Sequence, residues 1–324
     1  MSLPTLDDIQ QAAARIEPYA HRTPVLTCRG LDDMGGAQLF FKCENLQKVG
    51  AFKFRGACNT VFSLSDAKSQ RGVATHSSGN HGAAVALAAR LRSIPAYIVM
   101  PNNVNPAKRI AVDAYGGRIT FCEPTQNDRE KTLEQVVGQT GATFIPPYND
   151  PLVIAGQGTA ALELLQDVPD LDIVLAPVGG GGLISGTALT IAALAPTTRV
   201  IAVEPSAADD AYRSFKTGTI QPSINPQTIA DGLRTSLGEL TFAAIQKHVE
   251  QIVTVSETSI VQAMRHIWER MKLIVEPSAA VPVAAVLDAA VDVRGKRIGI
   301  ILSGGNVDLC NLPWSYATPS CDQD

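Results

Sequence analysis

The segment Gly50-Ala51-Phe52-Lys53-Phe54-Arg55-Gly56-Ala57 sets one lysine between two aromatic rings, in a stretch bounded by small residues. Apolar neighbours strip water from an ammonium group and favour the neutral amine. A neutral amine attacks carbonyls and forms a Schiff base. An isolated lysine is ordinarily a solvated residue of an amphipathic strand or helix, so its meaning depends on what else the chain carries. Pro177-Val178-Gly179-Gly180-Gly181-Gly182-Leu183-Ile184-Ser185-Gly186 follows an apolar β-rich run and opens a helical one. Four consecutive glycines let backbone N–H groups converge, and a helix start adds partial positive charge; together they form a phosphate cup. The spacing is not G-x-G-x-x-G, because the sixth position falls on Ile184 or Ser185, and it is not a Walker motif, because Thr187 follows Gly186. A tight strand–helix turn alone needs fewer glycines.

Three further clusters could do chemistry. In Thr75-His76-Ser77-Ser78-Gly79-Asn80-His81-Gly82, side chains and backbone N–H groups at a helix start could receive a carboxylate; the alternative is a capped turn. Leu302-Ser303-Gly304-Gly305-Asn306 follows the last apolar run. Ser303 could offer a neutral hydrogen bond at the carboxyl end of a strand, where α/β sheets bind ligands, or the stretch simply ends the strand. In Glu204-Pro205-Ser206-Ala207-Ala208-Asp209-Asp210, carboxylates flank a free carbonyl. That suits a hard divalent cation, or an acidic helix start opposing its dipole.

Short β-rich runs and amphipathic runs alternate along the chain. Strands are predicted at 39–43, 72–76, 96–100, 118–122, 173–177, 200–203, 252–255 and 298–302, and helices at 80–91, 128–137, 158–165, 183–194 and 259–271. Thr5-Leu6-Asp7-Asp8 resembles a capping box that starts an N-terminal helix. This alternation predicts an α/β fold: two open, mainly parallel sheets with covering helices, several strands apolar throughout because helices cover both faces. At 324 residues two domains are expected. Turn-forming residues cluster near Arg71 and Pro147, so residues 71–147 are taken as a small inserted substrate-side domain, with 1–70 and 148–324 forming a discontinuous cofactor-binding domain. With 27 basic and 31 acidic residues the net charge is −4, which argues against a nucleic-acid partner. Six cysteines without a CxxC pair read as reduced thiols of a cytoplasmic protein. No signal peptide is expected from the first residues, nor a membrane span: the most apolar run, 281–291, is broken by Asp288.

In this order the pieces resemble the fold type II pyridoxal-phosphate (PLP) enzymes, which share a tryptophan-synthase-beta-like fold. The nearest branch looks like serine racemase and serine/threonine dehydratase, including 3-hydroxyaspartate ammonia-lyase-like members. Besides the lysine, Ser77–Gly82, tetraglycine and Ser303 segments, the resemblance rests on Ile154-Ala-Gly-Gln-Gly-Thr159, Ala230-Asp231-Gly232, Trp268-Glu-Arg-Met-Lys272 and Glu276-Pro277-Ser278-Ala279.

The resemblance implies that Lys53 carries the cofactor as a Schiff base and that Phe52 packs on the pyridine ring. Gly179, Gly180, Gly181 and Gly182 would hold the phosphate, Asn80 the phenolic oxygen and Ser303 the ring nitrogen, with Gly232 lining the pocket. A hydroxyl at the ring nitrogen leaves it largely unprotonated, a setting suited to elimination. The substrate carboxylate would sit on Ser77, Ser78, Asn80 and His81. Lys53 and Ser78 would exchange protons on opposite faces of the substrate. Arg129 could reach a distal carboxylate, as 3-hydroxyaspartate would present, or be an ordinary exposed helix residue. Glu204, Ala208 and Asp210 would hold Mg²⁺ or Ca²⁺, with Mn²⁺ an alternative. Tyr148 stands where animal serine racemases tend to carry Asn. Tyr115, Lys272 and Asn306 are compatible with a nucleotide effector. The implied activity is interconversion of L- and D-serine with water elimination to 2-oxo acid and ammonia. The alternatives are 3-hydroxyaspartate ammonia-lyase, catabolic threonine dehydratase and, remotely, a non-catalytic PLP-binding protein. A homodimer is the implied assembly.

Overall fold

Runs rich in Ile and Val form the strands at the centre of the chain's two sheets. The computed structural model describes residues 2–77, 79–104 and 106–314. The strands are β1 (Val25–Leu26), β2 (Gln38–Cys43), β3 (Val73–His76), β4 (Ala96–Pro101), β5 (Arg118–Cys122), β6 (Thr143–Phe144), β7 (Ile173–Pro177), β8 (Arg199–Pro205), β9 (Gln251–Val255) and β10 (Arg297–Leu302). One sheet has the order β1-β2-β10-β7-β8-β9 and the other β5-β4-β3-β6. Every pairing is parallel except β1 with β2. The fold is α/β with two mainly parallel sheets, as expected. The short β1 and β6 carry too few residues to show a period in sequence.

The helices are α1 (Leu6–Ile16), α2 (Arg29–Gly35), α3 (Lys53–Ser63), α4 (Asp66–Ser69), α5 (Asn80–Leu91), α6 (Pro106–Ala114), α7 (Gln126–Thr140), α8 (Pro151–Asp167), α9 (Gly182–Leu194), α10 (Asp210–Thr217), α11 (Glu239–His248), α12 (Glu257–His266) and α13 (Pro277–Leu287). Thr5 and Asp8 close the capping box of α1. The helix expected at 259–271 ends at His266 and continues as a π-turn over Ile267–Met271, stopped by Lys272 in the left-handed region at φ 59°. Trp268 anchors that turn: its indole N–H donates to the Val275 carbonyl at 3.0 Å.

The six-stranded sheet is covered on one face by α12 and α13, through Ile260, Met264 and Val281, and on the other by α9, α10 and α11, through Ile184, Ala211 and Ile245. Covered on both faces, the strand at its centre is apolar throughout: every residue of β7 is buried. The strands of the other sheet all fall between Val73 and Phe144. Its core includes Val85, Ile98 and Val112 together with Phe54, Ala57, Cys58 and Val61 of α3. Thus α3, the helix that opens with Lys53, packs on the four-stranded sheet's core.

Candidate active site

The turn before Lys53 is stitched to the end of β10. Phe52 N–H donates to the Ser303 carbonyl at 3.0 Å, Gly305 N–H to the Gly50 carbonyl at 2.9 Å, and Ala51 bridges Gly304. Gly50 sits at φ +67°, and a Cβ there would stand 2.7 Å from Asn306 Oδ1, so glycine alone fits. Lys53 Nζ donates to the Pro147 carbonyl at 2.7 Å and lies 5.1 Å from the Phe52 ring centroid. Burial pushes its pKa down to about 8, against the opposing pull of Glu276. A lysine so placed yields a neutral amine near neutral pH at far less cost than a solvated one.

Lys53 faces a cavity of about 410 Å³ onto which the N-termini of α3, α5, α9 and α13 open. Four positive helix ends around one cavity are an arrangement that favours an anion. Gly179, Gly180, Gly181 and Gly182 line it, and the packing accounts for each glycine. A Cβ at Gly179 would stand 2.8 Å from the Leu233 backbone, one at Gly180 2.3 Å from the Tyr148 ring and one at Gly182 3.0 Å from Tyr148 Cβ. Gly181, the N-cap of α9, has φ 88°. Tyr148 therefore packs directly against the loop, a partner the glycine run alone does not reveal.

Ser303 is buried and lines the cavity, as does Gly232, whose N–H donates to Ser278 Oγ at 3.2 Å. Asn80 opens α5; its Nδ2 donates to both oxygens of Glu276 at 3.0 and 3.1 Å, and its Oδ1 accepts from Asn306 Nδ2 at 2.9 Å. Ser77 lines the cavity and its Oγ accepts Gly79 N–H at 3.2 Å. Ser78 lies outside the described residues. His81 is buried, and its Nε2–H donates to the Ile145 carbonyl at 3.1 Å. Burial pushes its pKa down to about 3, with help from Lys53. A neutral ring whose one N–H is used, with Nδ1 unpartnered among the described residues, leaves the backbone N–H of His81 in the first turn of α5 as a donor a carboxylate could meet. Arg129 reaches the cavity beside His76, and its Nε is buried without a hydrogen-bond partner among the described residues.

Sequence reasoning gave no role to three cavity groups. Glu276 is buried, and burial, reinforced by Asp231, pushes its carboxyl up to about 7. A carboxylate just before a proline-led apolar helix was the available signal. Lys108 of α6 forms an ion pair with Asp231 across the cavity mouth; no local pattern connects residues so far apart in the chain. Behind Lys53, the fully buried Arg55 binds Glu44 at 2.7 Å and Glu163 at 2.7 Å, and Lys42 binds Glu163 at 2.6 Å. Two cations thus balance two carboxylates, the condition under which charges are buried.

At the end of β8, Glu204 is fully buried and accepts the N–H groups of Ala211 and Tyr212 at 3.0 and 2.8 Å. Asp210 is also fully buried; neither carboxylate oxygen has a partner of good hydrogen-bond geometry among the described residues, though the Ser223 hydroxyl lies close enough to oppose the rise in its pKa. Burial pushes Glu204 up to about 9 and Asp210 up to about 6. Orphaned oxygens beside a second carboxylate and the buried Ala208 fit a hard cation. No cluster of three or more His, Cys, Asp or Glu side chains suited to a metal occurs among the described residues. Tyr115 and Asn306 line a second cavity of about 270 Å³ together with Lys108. Lys272 is not in that lining; its Nζ donates to the Glu269 carbonyl at 2.6 Å.

Residues 16–304 match the model of a family described as pyridoxal-phosphate dependent enzyme, and the chain belongs to that family. It is 53% identical over 315 residues to the beta-hydroxyaspartate dehydratase of Paracoccus denitrificans (strain Pd 1222), covering 97% of this chain and 100% of that one. It is 47% identical over 316 residues to the serine racemase of Dictyostelium discoideum, covering 96% and 98%. The solved structure of maize serine racemase superposes with a TM-score of 0.92 at 47% identity, covering 94% of each chain. No helix among the described residues is long and apolar enough to cross a membrane.

Proposed function

We propose that this chain is a PLP-dependent racemase and dehydratase of small β-hydroxy amino acids, interconverting L- and D-serine and eliminating water to give a 2-oxo acid and ammonia. The observation that carries this reading is the half-buried Lys53 amine, its pKa lowered to about 8, facing a cavity ringed by four helix N-termini. The cavity suits a phosphorylated cofactor: the tetraglycine loop would take the phosphate, Ser303 the ring nitrogen, Asn80 the phenolic oxygen and Phe52 one ring face, with Gly232 beside it. When bound, PLP supplies an electron sink for the negative charge left at Cα.

The chain's own residues do the rest. First-turn N–H groups of α5, with Ser77, Asn80 and the N–H of His81, would orient the substrate carboxylate. Lys53 Nζ, near pKa 8, would take the Cα proton and later return it. Ser78 would exchange a proton on the opposite face. Glu204, the Ala208 carbonyl and Asp210 would hold Mg²⁺ or Ca²⁺ and tie the end of β8 to α10. A nucleotide effector at the Tyr115–Asn306 cavity, a homodimer and an inserted domain over 71–147 belong to the same reading.

Arg129 favours a second substrate. Its Nε, buried at the cavity wall without a hydrogen-bond partner among the described residues, suits the distal carboxylate of 3-hydroxyaspartate, and one 53% identical relative is named for that substrate. Incubation with L-serine, D-serine, L-threonine and both threo and erythro 3-hydroxyaspartate separates the readings by chiral analysis and 2-oxo acid release. Release from hydroxyaspartate alone selects ammonia-lyase. A PLP-loaded protein inert toward all five overturns the proposal.

A further inference from the structure

The motif Ile154-Ala-Gly-Gln-Gly-Thr159 lies in α8, away from the cavity wall, yet α8 is wedged between the two helices that begin at the site. On one side is α3, which starts with Lys53. A Cβ on Gly156 would stand 2.6 Å from Gly56 Cα and 2.7 Å from the Arg55 carbonyl oxygen. On the other side is α9, which starts at the tetraglycine loop. A Cβ on Gly186 would stand 2.5 Å from Gly158 N and 2.5 Å from the Ile154 carbonyl oxygen. These are backbone-to-backbone contacts, closer than side chains ordinarily allow between helices. Gly156 and Gly158 are two residues apart, roughly 200° around a helix, so the two contacts fall on nearly opposite sides of α8. Gly56 follows Lys53 by one helical turn, and Gly186 follows Gly182 by one.

The residue between the two glycines joins the layers. Gln157 is fully buried, and its Oε1 accepts the N–H of Gly56 at 3.2 Å, satisfying a donor in the first turn of α3. Asn59 Nδ2 donates to the Leu152 carbonyl at 2.7 Å, and Arg55 Nη1 to Thr159 Oγ1 at 3.1 Å. On the far side Thr190 Oγ1 lies 3.1 Å from the Gly158 carbonyl oxygen and 2.8 Å from that of Gly186.

We propose that the Gly156-Gln157-Gly158 segment is a spacer that sets the separation between the Lys53 amine and the Gly179–Gly182 phosphate cup. Gly156, Gln157 and Gly158, with Gly56 and Gly186, are positioning residues. The proposal rests on Lys53 as the cofactor lysine and the tetraglycine loop as its phosphate site. A cofactor held at both ends gains the advantage of a second, intramolecular contact only when the spacing matches. Thickening the spacer forfeits that advantage and leaves the amine able to react.

The test compares PLP with pyridoxal, which lacks the phosphate, on the cofactor-free full chain. Capture at Lys53 is read by borohydride fixation and peptide mass. The variants are Gly156→Ala on the lysine side, Gly186→Ala on the cup side, and Gln157→Met, which keeps the volume and removes the acceptor. Expected is a fall of roughly tenfold or more in the PLP-to-pyridoxal affinity ratio for either glycine variant, and of about threefold for Gln157→Met, with pyridoxal capture held within about twofold. A general loss of folding lowers both ligands in parallel and leaves the ratio unchanged. An unchanged ratio in Gln157→Met and in whichever glycine variants fold overturns the spacer. Absence of a fixed adduct on Lys53 in the unmodified chain overturns the lysine assignment instead, and the spacer with it.

Discussion

Replacing Lys53 by methionine is expected to stabilise the cofactor-free protein while abolishing its chemistry. Burial lowers the Lys53 pKa from 10.5 to about 8. At about 1.4 kcal/mol for each pH unit, the folded state carries about 3 kcal/mol of penalty whenever the amine is protonated in both states. Methionine has similar length and no charge, so it removes the penalty. It also loses the donor to the Pro147 carbonyl, which costs about 1 kcal/mol. The net gain at pH 7 is about 2 kcal/mol. Between pH 8 and 10.5 the unfolded chain holds a proton on Lys53 that the folded chain has released. Wild-type stability therefore rises with pH through that window, and the advantage of methionine shrinks to nothing or reverses. Urea unfolding of both cofactor-free proteins at pH 7, 8, 9 and 10.5 gives the comparison directly. Glu276 raises the Lys53 pKa, so the gain is larger in a Glu276→Gln background. A methionine variant no more stable than wild type at pH 7, or a difference that stays constant up to pH 10.5, refutes the reasoning.

Gly180→Ala would bring a Cβ to 2.3 Å from the Tyr148 ring. It is expected to cost about 1–3 kcal/mol and to weaken PLP binding, with Tyr148→Ala restoring most of the loss in melting and titration experiments. Arg55→Met leaves Glu44 and Glu163 without their shared partner. A fall of about 3–5 kcal/mol in urea unfolding is expected, and a change below about 1 kcal/mol would show that the buried charges are not coupled. Mg²⁺ at a hundred times its dissociation constant should add about 2.7 kcal/mol of stability. The effect should strengthen from pH 6 to 9, as protons leave Asp210 and then Glu204, and vanish in Asp210→Asn; a pH-independent gain kept in that variant argues for a different site.

The strands of five residues or more were legible because their signals are local. At 118–122 and 173–177 the expected and observed bounds coincide, since β-rich runs there end abruptly in turn-forming residues. Helix α8 was read as eight residues and spans 17, because its first half is rich in glycine and alanine and shows no apolar period. No element was assigned over α3 for a related reason: all but its ends are buried, so apolar and polar residues do not alternate. Its stability comes from α8 and from the four-stranded sheet, which a linear reading does not contain. The site divides in the same way. Glycine runs and Ser303 announce themselves, being tied to strand ends. The Lys108–Asp231 pair, the Tyr148 contact with the loop and the Asn80–Glu276 hydrogen bonds exist only once distant segments meet.

The first and last strands of the four-stranded sheet are hydrogen-bonded neighbours: Val73 pairs with Thr143 and Ala74 with Phe144. The chain therefore enters and leaves this unit through two points roughly 4.8 Å apart. A segment with adjoining ends behaves as a cassette. Exchanging it between relatives is expected to leave the scaffold that carries it unstretched. A replacement has to match the face of α3 formed by Phe54, Ala57, Cys58 and Val61, and to keep the hydrogen bonds of Asn80 to Glu276 and Asn306 and the Lys108–Asp231 ion pair. Chimeras that graft another relative's residues 73–144 onto this chain are thus a practical route to moving substrate preference while the lysine, the glycine loop and Ser303 stay in place.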